Sequence, residues 1–196
     1  MSKILGVGGS PRKKGNSDVM LLKILEGAED AGAETETVFL RDYKFDSCTG
    51  CEKCRTAKAC TELQDGMQLL YPKIIDSKGL VLASPSHNYN VSALMKAFID
   101  RLYQFIDFTD DHPRKYSSRL AQQGRKAVLA AVCEQYYDEG MGFTVDGMRL
   151  PLETLGYEVV GVVTAELVFH RGKVAKNSQV VSAAYDLGKK LARSLE

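Results

Sequence analysis

Lys3-Ile-Leu-Gly-Val-Gly-Gly-Ser10-Pro-Arg-Lys-Lys-Gly-Asn-Ser17 opens with a short apolar run and closes in small, basic and hydroxyl residues. A brief apolar run among glycines (Ile4, Leu5, Val7) is the sequence form of a buried parallel strand. Helical spacing follows at once. Val19, Leu22, Ile24 or Leu25, and Ala28 recur, with Asn16 or Ser17 as N-cap and Gly32 near the end. Strand, polar loop, helix is a phosphate-binding arrangement, because free backbone N–H groups and the positive end of the helix dipole face the loop. The loop lacks G-x-x-x-x-G-K-[ST], and Gly6-x-Gly8-x-x-Pro11 misses the third glycine of the dinucleotide fingerprint. What remains suits a terminal phosphomonoester, with Arg12 as salt partner. The plainer reading is a polar turn between strand and helix.

Outward from this unit the pattern alternates. Glu34 to Leu40 reads as an edge strand with charge at its start. Leu63 to Ser77 has helical spacing (Met67, Leu70, Ile74), with Pro72 expected to shorten or kink it. Gly79 to Ser84 is a fully apolar third strand ending in Pro85-Ser-His-Asn-Tyr-Asn90. A helix is predicted from Val91 to about Ile106, with Lys96, Asp100 and Arg101 on a solvated or interfacial flank. Asp107 to Gly124 is a long polar connection of the kind that serves as lid, binding loop or oligomer contact. Lys126–Cys133 and Glu158–Thr164 read as strands, Thr144–Leu155 and Asn177–Leu195 as helices. An irregular loop, 166–175, holds His170 and Arg171.

Strands alternating with helices predict one α/β domain over 1–196. The expected architecture is a three-layer, doubly wound, five-stranded parallel sheet in the flavodoxin-like order 2-1-3-4-5, with the polar strand 2 at an edge. Ligands of such sheets sit beyond the carboxyl ends of the strands, at the switch point between strands 1 and 3. Loops 9–17 and 85–90 meet there.

A Cys-rich insertion, 46–62, leaves strand 2 on the same edge. Cys48, Cys51, Cys54 and Cys60 follow C-x2-C-x2-C-x5-C, and they are four of the chain's five cysteines. Thiolates are soft ligands, and short gaps let one turning loop aim several at a common centre. One loop supplying four thiolates is the style of a cubane iron–sulfur site. A structural zinc site more usually draws on two separated knuckles. The third reading is metal-free thiols that pair on oxidation, Cys48 with Cys51 or Cys51 with Cys54.

Composition bounds the partners. A net charge of +1 over 196 residues gives no footprint for nucleic acid or an anionic membrane. No apolar run approaches the roughly 20 residues needed to span a bilayer. Met-Ser-Lys-Ile-Leu-Gly-Val enters a strand pattern at once rather than a signal peptide. An odd, unevenly clustered set of cysteines speaks against a secreted disulfide framework. The expected compartment is cytoplasmic. No Ser-His-Asp or paired-carboxylate arrangement points to a hydrolase. Cys133 reads as a small buried hydrophobe. His112 and His170 read as surface residues, and Tyr136 and Tyr137 either cover a ring or simply pack.

Taken together, Gly9 to Ser17, Ser84-Pro85 and Asn90-Val-Ser-Ala-Leu-Met-Lys-Ala-Phe-Ile-Asp-Arg101 resemble the NADPH-dependent FMN reductase family of flavodoxin-like proteins. With the cysteine motif added, the chain resembles that family's iron–sulfur flavoproteins. The resemblance implies an FMN phosphate on Ser10, Arg12, Asn16 and Ser17. It implies an isoalloxazine against Pro85, Ser86, His87, Asn88, Tyr89 and Asn90, closed by residues from about Glu134. It further implies a [4Fe-4S] cluster on Cys48, Cys51, Cys54 and Cys60, and a homodimer or homotetramer in which 107–124 is a contact. His87 stands where relatives often carry a tyrosine. The function so implied is electron transfer between a donor, NAD(P)H or a small redox protein such as ferredoxin, and a small-molecule acceptor. The alternatives are a cluster-free NAD(P)H-dependent FMN, quinone or azo-compound reductase, and a non-enzymatic zinc-binding module.

Overall fold

In the computed structural model, which describes residues 2–196, the strands in chain order are β1 (Lys3–Gly8), β2 (Glu34–Phe39), β3 (Gly79–His87), β4 (Asn90–Val91), β5 (Ile106–Phe108), β6 (Tyr116–Ser118), β7 (Lys126–Val132) and β8 (Glu158–Ala165). The α-helices are α1 (Asn16–Asp30), α2 (Lys53–Ala57), α3 (Tyr71–Asp76), α4 (Ala93–Arg101), α5 (Tyr137–Gly140), α6 (Thr144–Thr154) and α7 (Ser178–Arg193). The main sheet runs β2-β1-β3-β7-β8, every neighbouring pair parallel. Counted over these five strands, that is the predicted order 2-1-3-4-5.

Burial explains the order. β1, β3 and β7 are apolar and almost wholly buried, whereas β2 and β8 carry exposed positions and take the edges. Successive strand residues face opposite layers. Ile4, Val81 and Val128 pack under α1 and α7, while Leu5, Leu80, Leu82 and Leu129 pack with Tyr71, Met95, Phe98, Met148 and Leu152 from α3, α4 and α6. α1 and α7 approach so closely that a Cβ added at Gly27 or Gly188 would overlap a backbone carbonyl of the facing helix.

Three segments depart from the sequence reading. The helix expected over 63–77 is broken. Asp65 accepts from the Met67 N–H at 3.0 Å and caps a 3-10 turn (Gly66–Leu69), and Pro72, which has no N–H to give a preceding turn, starts a fresh short helix. The helix expected over 91–106 begins only after Ser92, whose hydroxyl accepts from Met95 N–H at 3.2 Å, and ends in a 3-10 turn, Leu102–Phe105. Its first residues instead extend β3 into a hairpin, His87 facing Asn90. The two central residues, Asn88 and Tyr89, both have positive φ, 49° and 64°, as a tight hairpin of this twist requires. The polar stretch 107–124 is ordered by the antiparallel β5–β6 pair.

Arg125, 3% exposed, ties α3 to β7: its guanidinium donates to the carbonyls of Ile74 (2.9 Å), Ser77 (2.5 Å) and Ile75 (2.8 Å) at the helix's C-terminal end. Among the described residues no helix is long and apolar enough to cross a membrane.

Candidate functional site

Beyond the carboxyl end of β1 the chain turns through Ser10, whose hydroxyl accepts from Arg12 N–H at 3.1 Å. Gly15, not Asn16 or Ser17, is the residue that caps α1. Among the described residues the N–H groups of Asn16, Ser17 and Asp18 have no backbone acceptor, and the buried Ser17 hydroxyl has no partner. A helix start with free donors and an orphan hydroxyl has the chemistry to hold an anion. Arg41, just past β2, shapes it from below. Its Nη1 donates to Ser10 O at 3.0 Å and to Asp18 Oδ1 at 3.1 Å, and it lies 4.2 Å from the Phe39 ring centroid. The Asp18 charge, which would repel an anion at the helix start, is thereby neutralised. Sequence reading missed this arginine, although a basic residue one step past an edge strand is a legible signal.

A cavity of about 350 Å³ runs from this loop to the end of β3, lined by Ser10, Arg12, Asn16, Ser17, Pro85, Ser86, His87, Asn88 and Glu134 among others. Nine of the eleven residues expected around a cofactor therefore line one cavity. Tyr89 and Asn90, expected with them, do not line it. The hairpin turn sends Tyr89 outward, where its carbonyl accepts from Phe143 N–H at 2.7 Å, and Asn90 caps Val91 N–H at 2.8 Å. The Asn16 side chain, expected on a phosphate, is committed elsewhere. It donates to Val168 O (3.3 Å) and His170 O (3.1 Å) and accepts from Val174 N–H (3.1 Å). It thus holds the 166–175 loop against α1, and that loop brings Val168, Phe169 and Arg171 to the cavity. Arg12 lies over Phe169, 5.0 Å from the ring centroid. Cys133 also reaches this cavity. Burial pushes its thiol up, and it donates to Gln135 O at 3.2 Å.

The cysteine loop forms a second cavity on the same edge, about 370 Å³, lined by Cys48, Cys51, Cys54 and Cys60. Positive φ at Gly50, Glu52 and Lys58 bends the loop around α2; all four cysteines line the cavity, Cys48 and Cys51 exposed and Cys54 and Cys60 half-buried, and none is in a disulfide. Burial pushes the Cys54 thiol up, and its neighbours Cys48, Cys60 and Cys51 push it further. Among the described residues no three His, Cys, Asp or Glu side chains converge on one ion-sized point. A cubane takes one thiolate at each iron corner, so four thiols spread around a cavity match its demand better than that of a single zinc.

The 107–124 hairpin braces this loop. Arg55 pairs with Asp110 (3.2 Å), Lys58 with Asp107 (2.6 Å), and Arg119 donates to Lys58 O (2.9 Å). Arg101, expected from sequence on a solvated or interfacial flank, is 2% exposed and bonds Asp65 with both terminal nitrogens (2.7 and 3.1 Å). Burial opposes ionisation of Asp65. Arg101 and the N–H groups of Asp46 and Met67 outweigh it and hold the carboxyl below the usual carboxylate range. A lowered folded-state value means that the stability Asp65 contributes is present above its unfolded value, about 3.9, and is lost as pH falls through the folded one. The stability difference between wild type and Asp65→Asn is therefore expected to be constant from about pH 8 to 5 and to shrink below about pH 4. Urea midpoints at neutral and acid pH check this, and a difference that does not shrink would remove the ion pair as its source.

A parallel sheet with a polar loop after β1 and a cavity spanning the ends of β1, β3, β7 and β8 defines a flavodoxin-like α/β protein with that cavity at the switch point. A solved flavodoxin from the domain Archaea matches that fold over 98% of both chains, at a TM-score of 0.60 and 12% identity. The family described as NADPH-dependent FMN reductase matches residues 2–138, and the chain belongs to it. A protein of Archaeoglobus fulgidus named iron-sulfur flavoprotein is 40% identical over 103 residues, 53% of this chain and 46% of that protein. A second of the same name and organism is 32% identical over 168 residues, 84% of this chain and 74% of that protein. Apart from the second, the chain spans about half the length of the curated relatives it matches.

Proposed function

We propose that the chain is an FMN-dependent oxidoreductase that passes electrons through FMN and a [4Fe-4S] cluster. The observation that carries this is the placement of an anion-ready cavity and a four-thiol cavity on the carboxyl edge of one sheet. In this reading Ser17 and the N–H groups of residues 16–18 hold the phosphate, and Arg12, steadied on Phe169, adds charge. Pro85, Ser86, His87 and Asn88 form one side of the ring site, with Val132, Cys133 and Glu134 opposite and Val168 excluding water. Bound FMN supplies two-electron acceptance and one-electron release, chemistry that needs no general base from the protein. Cys48, Cys51, Cys54 and Cys60 hold the cluster. NAD(P)H or a small redox protein such as ferredoxin is the donor, a small molecule the acceptor, and the working form a homodimer or homotetramer.

A second reading, a cluster-free NAD(P)H-dependent FMN, quinone or azo-compound reductase, is favoured by the match of residues 2–138 to the NADPH-dependent FMN reductase family. Anaerobic purification with a visible spectrum and iron, sulfide and FMN analysis separates the two. About four irons and four sulfides per FMN, lost in Cys48→Ser, is the expected result. FMN without iron, even after anaerobic reconstitution, leaves the simple reductase, and Cys48→Ser then changes little. Colourless protein with zinc and no flavin sinks both.

A further inference from the structure

Arg101 closes α4, yet its side chain belongs to the cysteine loop. It donates to Asp46 O at 2.8 Å, to both Asp65 oxygens, and to the Tyr71 hydroxyl at 3.2 Å. Asp46 precedes Cys48, and Asp65 follows Cys60, so one buried cation joins the two ends of the loop. The next turn holds the loop at a third point, where Gln104 Oε1 accepts from Cys60 N–H at 2.7 Å. The same residue lines the four-thiol cavity. Its charge is permanent, and its planar fork serves a carboxylate, a carbonyl and a hydroxyl at once, which a lysine ammonium on a flexible stem does not. Every nitrogen of the fork has a partner, Nη1 and Nη2 on Asp65, Asp46 O and Leu63 O and Nε on the Tyr71 hydroxyl, so its charge acts on the four-cysteine cavity through space and not through a hydrogen bond.

We propose that Arg101 is the positioning residue of the four-thiolate site: it closes the neck of the 48–60 loop and sets a fixed positive charge beneath the thiolates, favouring an anionic, thiolate-ligated occupant. The charge role rests on the cluster reading above, and the neck closure does not. Thiolate-bound clusters have potentials set in part by net charge and by surrounding donors, so a buried cation favours the more negative, reduced state.

The test compares full-length wild type, Arg101→Lys and Arg101→Met. In metal-free protein, hydrogen exchange of amides 46–65 is expected to quicken about tenfold or more in Arg101→Lys, the equivalent of a lost charge-assisted hydrogen bond. The amides of β1, β3 and β7 stay protected. After anaerobic reconstitution, both variants are expected to retain iron about 10–100-fold less tightly. Arg101→Met, which has lost the charge, is expected at a more negative midpoint potential than Arg101→Lys, which keeps it. Unchanged exchange at 46–65 overturns the neck role. Equal iron retention and equal potentials in all three chains overturn the charge role. Faster exchange in Arg101→Lys, with no iron uptake by wild type, upholds the neck closure and overturns only the cluster reading.

Discussion

Gly188→Ala is expected to lower stability by about 3 kcal/mol, and Gly188→Val to leave little folded protein. On an exposed helix the first change would be favourable by about 1 kcal/mol, since alanine is the better helix former. Here the sign reverses because of what faces the position. A Cβ at residue 188 would overlap Ile24 O and stand 2.9 Å from Ala28 N, both backbone atoms of α1. No rotamer change can relieve a clash with backbone. α7 would have to lift from α1, withdrawing Ala184, Leu191 and Ala192 from the core they share with Ile24 and Ala28. Gly27→Ala attacks the same interface from the other side, against Tyr185 O, so the two losses should not add. Urea denaturation followed by circular dichroism measures both. Gly188→Ala as stable as wild type would mean that the helices are not in this contact.

Asn16→Ala is expected to weaken FMN binding about 100-fold through the 166–175 loop, to which its side chain is bonded. The change removes two donations and one acceptance and leaves the carbonyls of Val168 and His170 and the N–H of fully buried Val174 without this partner. Unmet buried groups cost about 1–3 kcal/mol each. The 166–175 loop relieves them by moving away, and Phe169 and Arg171 leave the cavity with it. Asn16→Asp should be worse, since it loses both donors and adds negative charge where the proposed phosphate sits. Fluorescence titration with FMN gives the affinities. Binding by Asn16→Ala within about threefold of wild type would show that Asn16 does not set this wall.

These two positions mark where sequence reading ran out. Asn16 was legible as important because a polar residue at a strand–loop–helix junction has few bland explanations. Its partners lie some 150 positions away and carry no local signal. Arg101 was read as a flank residue because helical periodicity reports only which face a residue is on. The carboxylate that draws it inward, Asp65, comes from another segment. The 107–124 stretch reads as a lid, binding loop or oligomer contact because its residues are polar, and the structure shows where part of that polarity goes, into ion pairs to the cysteine loop.

The sequence alone determined the strand order, the anion loop and the four-thiol motif, because each is written in residues close together in the chain: apolar runs, a helix start, a cysteine spacing. Tertiary structure alone decided which donors stay free, which cation joins the two ends of the cysteine loop and how closely α1 and α7 meet. Those depend on pairings between distant segments, and burial settles them by leaving each polar group only the partner that packing brings within reach.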